Sequence, residues 1–184
     1  AIIFLLNEYV LAFYSLSPLV LAFFVTGIGG IFLFFFVDKK VLLLQRIMKK
    51  HFFLFLLCSF FTYALSFIFA FSSLSSIGAT KFSFAVQLDA LFIIPLSFFF
   101  LQEKITFRSG SAAFLILVGG FFLSFSFETF TIHLTKGDIF AILSALSFSV
   151  GIVMTTYLLQ HYDALFLTAL GLFVGSFFLF LYLF

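Results

Sequence analysis

Three ionisable side chains interrupt otherwise apolar stretches of this sequence, and they are the first candidates for chemistry. They are Glu8, Lys81 and Asp89. An ionisable group inside a membrane is costly, so it is retained where it binds a substrate, carries an ion or pairs with another charge. Lys81 and Asp89 are eight residues apart, which is about 12 Å along one helix, so we expect no direct pair between them. Glu8 is closer to Lys81 in expected depth, and these two are predicted to face each other across helices.

Three uncharged polar residues in the same stretches are further candidates for a binding cavity: Asn7, Tyr63 and Gln87. Each can form hydrogen bonds either to a substrate or between helices, and both roles stay open. The three histidines and the single cysteine do not have the spacing of metal ligands, so no metal and no cofactor is predicted. The sequence contains no H-E-x-x-H, G-x-S-x-G or Walker motif, and an enzyme is therefore not expected.

The composition places most of the chain in a lipid bilayer. Of its 184 residues, 65% are apolar and 9% are charged, against roughly half and about a quarter in a soluble domain. So few charges cannot cover a globular surface, which excludes a soluble enzyme and a disordered chain. The net charge of +2 is too small for a nucleic-acid-binding face, and one cysteine cannot form a disulfide scaffold.

Runs without charge indicate how often the chain crosses the bilayer, because a crossing helix needs about 20 mostly apolar residues. Five such runs occur, namely Pro18–Val37, Phe52–Thr80, Ser109–Phe127, Ile139–Gln160 and Ala164–Phe184. A sixth span lies between Thr80 and Gln102, and Ala1–Leu16 forms a partial span. Runs such as Ile31–Val37 do not alternate apolar and polar residues, which favours helices over barrel strands. The predicted fold class is an all-α membrane protein, a polytopic transmembrane helix bundle.

Charges at the ends of the spans predict their caps and their orientation. Ser17 before Pro18 is typical of a helix start, and Asp138 and Asp163 are N-cap candidates for the next-to-last and last spans. Seven of the nine positive charges fall in two connections, Asp38–Lys50 and Leu101–Ser109. The positive-inside rule predicts that both connections are cytoplasmic, in a multi-pass protein of the cytoplasmic (plasma) membrane.

A weak internal repeat has an offset of 145 residues, placing Leu19–Phe32 over Ala164–Phe177 and Gly30 over Gly175. This offset contains five spans. An odd number inverts the second copy relative to the first, which is the plan of many secondary transporters. Two complete units would make a protein on the order of 290 residues, of which this chain would be a piece.

Several short motifs, taken in order, resemble the EamA-type transporters of the drug/metabolite transporter superfamily. The motifs are AFSSLSSIGAT (Ala70–Thr80), LQEKIT (Leu101–Thr106), the pair Gly119-Gly120 and GDIFA (Gly137–Ala141). The resemblance implies ten helices in the whole protein, with both termini inside. It divides this chain into a first, N-terminally truncated five-helix repeat at residues 1–127 and the first two helices of a second, inverted repeat at residues 137–184. It also implies that the first and fourth spans line a central cavity, which places Glu8, Lys81 and Asp89 there.

The expected function is that of a secondary transporter, in which two inverted halves alternate access to a site near the midplane. Its substrate would be a small metabolite, an amino acid or a drug. Because no ATPase motif is present, transport would be driven by a coupling ion, H⁺ or Na⁺, or by exchange. The oligomeric state is left open, and a homodimer is one possibility. The alternative is a polytopic membrane scaffold or sensor subunit without transport, in which the polar residues only hold helices together.

Overall fold

The computed structural model describes residues 6, 7, 9, 10, 13, 17–37, 44, 47, 49–102, 104, 106–126, 131, 132 and 135–183. For residues 109, 117, 120–126, 131 and 132, it describes the backbone alone. The helices are α1 (Pro18–Phe35), α2 (Phe52–Ser59), α3 (Ser66–Ala85), α4 (Asp89–Leu101), α5 (Phe107–Ser124), α6 (Lys136–Leu159) and α7 (Ala164–Leu183). A π-helical segment (Phe60–Leu65) joins α2 to α3, a 3-10 turn (Val86–Leu88) joins α3 to α4, and the strands β1 (Phe125–Ser126) and β2 (Thr131–Ile132) pair antiparallel after α5.

Long apolar helices account for most of the described chain. Four helical stretches in it are long and apolar enough to cross a membrane, namely Pro18–Phe35, Phe52–Leu101, Lys136–Leu159 and Ala164–Leu183. The predicted all-α polytopic bundle is therefore confirmed. Two of the three predicted helix starts are also confirmed, since the side chains of Ser17 and Asp163 each accept a backbone N–H of the turn that follows.

The third predicted helix start was wrong by one turn. The N-cap of α6 is Thr135, and Asp138 lies at the third helical position. The two residues form a capping box, in which each side chain bonds the backbone N–H of the other. Asp138 therefore still stabilises the start of α6, but its carboxylate lies inside the helix, where it can also meet a neighbouring element.

The 50-residue stretch Phe52–Leu101 is a hairpin rather than one long helix. A straight helix of that length would extend about 75 Å, more than twice the thickness of a bilayer core. Gly78 has φ 77° and ψ 164°, a conformation that glycine adopts at little cost and that interrupts the helix. We call residues 52–77 the first arm and residues 79–101 the second arm.

Contacts with α6 show that the chain reverses at Gly78. Four hydrogen-bonded pairs give the directions: Ser73–Gly137 and Ser66–Ser144 on the first arm, and Lys81–Asp138 and Asp89–Ser149 on the second arm. Along α6 from Gly137 to Ser149, the residue number of the first-arm partner decreases, whereas that of the second-arm partner increases. The two arms therefore run in opposite directions on either side of α6, which agrees with the predicted division near Thr80.

The hairpin gives the bundle two distinguishable ends. The Gly78 end carries the turn of the hairpin and the start of α6, whereas the Leu101 end carries the start of the first arm, the end of the second arm and the end of α6. Among the described basic residues, Lys49, Lys50, Lys104 and Arg108 adjoin the Leu101 end, and Lys81 and Lys136 lie at the Gly78 end. The two basic connections thus share one end, as predicted, and the positive-inside rule predicts that this end is cytoplasmic.

The π-helical segment brings the first arm close to both α6 and α7. A Cβ atom at Gly151 of α6 would overlap Thr62, and a Cβ at Gly171 or Gly175 of α7 would overlap Tyr63. These glycines let neighbouring helices approach the segment closely, which is the role of small residues in membrane helices.

The two segments of the weak repeat pack on each other. Gly30 of α1 lies against α7, where a Cβ atom would be 2.8 Å from the backbone nitrogen of Phe173 and 3.2 Å from the carbonyl oxygen of Ala169. Further along, the rings of Phe23 and Phe180 have centroids 6.1 Å apart. The residue numbers rise on one helix as they fall on the other, so α1 and α7 pack antiparallel.

Candidate functional site

An ion pair closes the Gly78 end of the bundle. The Nζ atom of Lys81 lies 2.8 Å from Oδ1 and 3.0 Å from Oδ2 of Asp138. Oδ2 also accepts hydrogen bonds from the backbone N–H and the hydroxyl of Thr135, at 2.7 and 2.8 Å. The Asp138 side chain is 11% exposed and that of Lys81 is 32% exposed. The pair therefore joins the second arm to the start of α6 in a partly desolvated position.

A second polar contact at this end fixes the first arm. The hydroxyl of Ser73, which is fully buried, donates to the carbonyl oxygen of Gly137 at 2.8 Å. Ile77 packs against the same glycine, because a Cβ atom there would lie 2.5 Å from its Cγ2. Both arms of the hairpin are thus held to one turn of α6.

Asp89 lies at an interruption in the second arm. The 3-10 turn Val86–Leu88 ends immediately before it, and Asp89 is the first residue of α4. The hydroxyl of Ser149, fully buried on α6, lies 2.9 Å from the carbonyl oxygen of Asp89 and 2.7 Å from that of Ala145 in its own helix, so its one proton is shared between two acceptors. A carboxylate in the first turn of a helix is stabilised by the positive end of the helix dipole. The interruption and this hydrogen bond together fix the position of Asp89 beside α6.

Towards the Leu101 end, the two arms and α6 enclose a cleft. Its volume is about 350 Å³, within the range of small-molecule sites. The lining residues are apolar apart from one tyrosine hydroxyl, and they are Leu54 of the first arm, Leu96, Phe100 and Leu101 of the second arm, and Val150, Val153, Met154 and Tyr157 of α6. Val150 follows Ser149 directly, so the cleft begins about where the Asp89 contact ends.

Aromatic and imidazole rings gather beside the cleft at the Leu101 end. The Nδ1 atom of His51 lies 3.0 Å from the hydroxyl oxygen of Tyr162. The His51 ring is also 5.2 Å from His161 and 6.2 Å from Tyr157, between ring centroids. Burial lowers the pKa of His51, and the positive charges of His161 and Lys50 lower it further. Because Tyr157 also lines the cleft, this cluster, named here the His51 cluster, borders it.

The remaining predicted site residues are distributed over the bundle rather than gathered at one point. Tyr63 packs against the glycines of α7. Asn7 lines a separate cavity of about 140 Å³ near Phe71 and Phe82. Gln87 is exposed in the 3-10 turn beside Asp89. Glu8 is outside the described residues, so its predicted pairing with Lys81 stays a prediction, while the structure pairs Lys81 with Asp138.

Sequence reasoning missed two residues of this site. Asp138 was predicted only as a cap, and Ser149 was not among the predicted site residues. Their partners are 57 and 60 residues away in sequence, so no local pattern could reveal them. The available signal was the opposite charge of Lys81 and Asp138, both of which lie near the start of a predicted span.

Comparison with known proteins agrees with this architecture. A model of the EamA-like transporter family matches residues 1–125, which include α1 to α5. Searches of curated proteins and of solved structures each found no match. The members of the matched family are transporters rather than enzymes. Since the match covers more than half of the chain, the protein belongs to the EamA-like transporter family.

Proposed function

We propose that the protein is a secondary transporter of the cytoplasmic membrane that moves a small metabolite, an amino acid or a drug by alternating access. In this proposal, the cleft is part of the substrate pathway and the Leu101 end faces the cytoplasm. The observation that carries it is the asymmetry of the hairpin: polar contacts hold both arms to α6 at the Gly78 end, and a cavity separates them towards the Leu101 end. A binding site that opens to one side at a time requires such a difference.

The proposal gives separate roles to the charged residues. Lys81 and Asp138 hold the outer end closed, and their contact must break when the site opens outwards. Asp89, placed between this contact and the cleft, binds the substrate or the coupling ion, H⁺ or Na⁺. An ionisable group at such a depth is expected to have a function, because burying it is costly.

A scaffold or sensor subunit without transport is the second candidate function. It is favoured by the hydrogen bonds from Ser73 and Ser149, which hold helices together irrespective of any substrate. The two candidates differ in one observable. A carrier exchanges a labelled substrate across a membrane, and a scaffold does not.

Solute flux into proteoliposomes containing the full-length protein tests the proposal. A panel of labelled metabolites, amino acids and drugs should include at least one solute taken up faster than by protein-free vesicles. Asp89→Asn, which keeps the shape of the side chain but loses its charge, should fold normally and lose most coupled uptake. Wild-type uptake by Asp89→Asn with unchanged pH dependence would exclude Asp89 as the coupling residue, and absence of flux for the whole panel would favour the scaffold.

A further inference from the structure

Resting on the transport function proposed above, we infer the class of substrate: an elongated amine whose apolar body lies in the cleft and whose cationic nitrogen lies at Asp89. Three observations carry this inference. They are the chemistry of the cleft lining, the alignment of Asp89 with that lining, and the distribution of charge around both.

The cleft is suited to an apolar group. Its described lining contains aliphatic and aromatic side chains and no charged one. Since one water occupies about 30 Å³ in the liquid, a volume of about 350 Å³ accommodates a phenyl ring with a short chain. A sugar phosphate or a small zwitterion would lose its hydration there without gaining hydrogen bonds, because the Tyr157 hydroxyl is the only polar side-chain group in the described lining.

Asp89 is aligned with the cleft along α4. Leu96 and Phe100, which line the cleft, follow Asp89 by seven and eleven residues. These separations are close to two and three turns at about 3.6 residues per turn, which in a regular helix places the three side chains on one face; Pro95 lies inside α4 between Asp89 and Leu96. The rise from Leu96 to Asp89 is about 10 Å. A ligand that extends from the cleft along this face therefore reaches the carboxylate with its far end.

The charges near this face favour a cation over an anion. Lys81, eight residues before Asp89, is paired with Asp138. Lys104 and Arg108 follow the last lining residue of the second arm and are exposed beyond it. Within the described residues, the carboxylate of Asp89 thus lies between the ion pair and the cleft with no cation against it. Attraction between a carboxylate and an ammonium group is strong where water is scarce.

Equilibrium dialysis of the full-length protein in detergent at pH 7 tests the inference with three probes. Labelled 2-phenylethylamine has the ring and the cation, methylamine has the cation without the ring, and 3-phenylpropionate has the ring with an anion. We expect 2-phenylethylamine to bind at least tenfold more tightly than either of the others. Equal binding of 2-phenylethylamine and 3-phenylpropionate would overturn the assignment of the cation to Asp89.

Two variants connect binding to the proposed position. Leu96→Trp fills the cleft and should weaken binding of 2-phenylethylamine at least tenfold, whereas Leu146→Trp, on an exposed part of α6, should leave it unchanged. Asp89→Asn should remove the preference for the amine over 3-phenylpropionate. If Leu96→Trp fails to fold, Leu96→Ala should still weaken binding several-fold by removing contacts. Full affinity in Leu96→Ala or in Asp89→Asn would overturn the inference.

The inference and the transport function fail in different ways. Flux of other solutes without binding of 2-phenylethylamine would overturn the amine assignment and leave the transporter intact. Amine binding with the predicted variant pattern, but no flux for any solute, would overturn the transport function and leave the site. Loss of binding on adding phospholipid, in wild type and Leu146→Trp alike, would assign the cleft to a lipid acyl chain and overturn the inference.

Discussion

The Gly78 end and the Leu101 end of the hairpin are built from the same three helices but are held together by different forces. At the Gly78 end, an ion pair holds the second arm to the start of α6, and the Ser73 hydroxyl holds the first arm there. Towards the Leu101 end, apolar side chains line a cleft between the same helices. A polar contact can be exchanged for water when an interface opens, whereas an interdigitated apolar core cannot. Under the proposed transport cycle, the Gly78 end is therefore expected to be the end that is closed in this state and opens in another.

The largest expected effect is produced by forcing the Gly78 end apart. In Gly137→Leu, the new side chain overlaps Ile77 and Ser76, whose atoms would lie 2.5 and 2.8 Å from its Cβ. Overpacking of this kind should lower the free energy of unfolding by about 3 kcal/mol, measured by SDS titration of the purified protein. The control is Gly110→Leu, where no atom lies within 4 Å of the added Cβ. Equal loss in both variants would show that the Gly78 end is not tightly packed.

Breaking the ion pair should have a smaller effect on stability, but it should specifically make the Gly78 end more accessible to reagents from the outside. Lys81→Met leaves the Asp138 carboxylate without its cation, and we expect a loss of about 1–2 kcal/mol, since Lys81 is partly exposed. Labelling of an introduced cysteine at Ser75, on the exposed surface of this end, should become faster from the outside. Lys81→Arg should retain the pair. Lys136 is exposed and lies two residues from Asp138 in the same turn, so Lys136→Met should change neither the stability nor the labelling rate. A similar change in Lys136→Met would show that the Lys81–Asp138 pair does not control the closure of this end.

Removing the Ser149 hydroxyl tests how much the contact midway between the two ends stabilises the bundle. Ser149→Ala deletes a hydroxyl shared between the carbonyl oxygens of Asp89 and, within α6, of Ala145, and the expected loss of stability is about 1 kcal/mol. Thr156→Ala is the matched control, because its hydroxyl bonds only within α6, to the carbonyl oxygen of Ile152. The two variants are compared by SDS titration. A loss in Thr156→Ala as large as that in Ser149→Ala would mean that the contact between α6 and the second arm does not stabilise the bundle.

The smallest expected effect is a pH dependence at the Leu101 end. Since the folded-state pKa of His51 is lowered, unfolded chains bind the proton more readily than folded ones. The stabilising contribution of neutral His51 is therefore complete above its ordinary pKa of about 6.5 and is lost as the pH falls through the lowered value. Wild type should lose more thermal stability between pH 7 and pH 5 than His51→Gln does. An identical pH profile for both would exclude His51 as the titrating group.

The sequence predicted those parts of the structure that depend on local pattern. Uncharged runs predicted the helices, Ser17 and Asp163 predicted two helix starts, and the charge near Thr80 predicted the division of the hairpin. The position of the turn itself required a glycine with positive φ, which a sequence cannot distinguish among 11 glycines. Partners distant in sequence were also beyond prediction, as for Lys81 and Asp138, because helix pairing is decided by packing across the whole bundle.

Cysteine accessibility in sealed vesicles tests the central claim most directly, that the cleft is a pathway open to the cytoplasm and closed outside. Met154→Cys places a thiol in the cleft, Thr106→Cys marks the connection predicted to be cytoplasmic, and Leu146→Cys, exposed on α6, serves as a lipid-facing control. A membrane-impermeant maleimide should label Met154→Cys and Thr106→Cys in inside-out vesicles and leave both unlabelled in right-side-out ones. Leu146→Cys should stay unlabelled in both. Labelling of Met154→Cys from the outside alone, or from neither side while Thr106→Cys is labelled, would contradict the account.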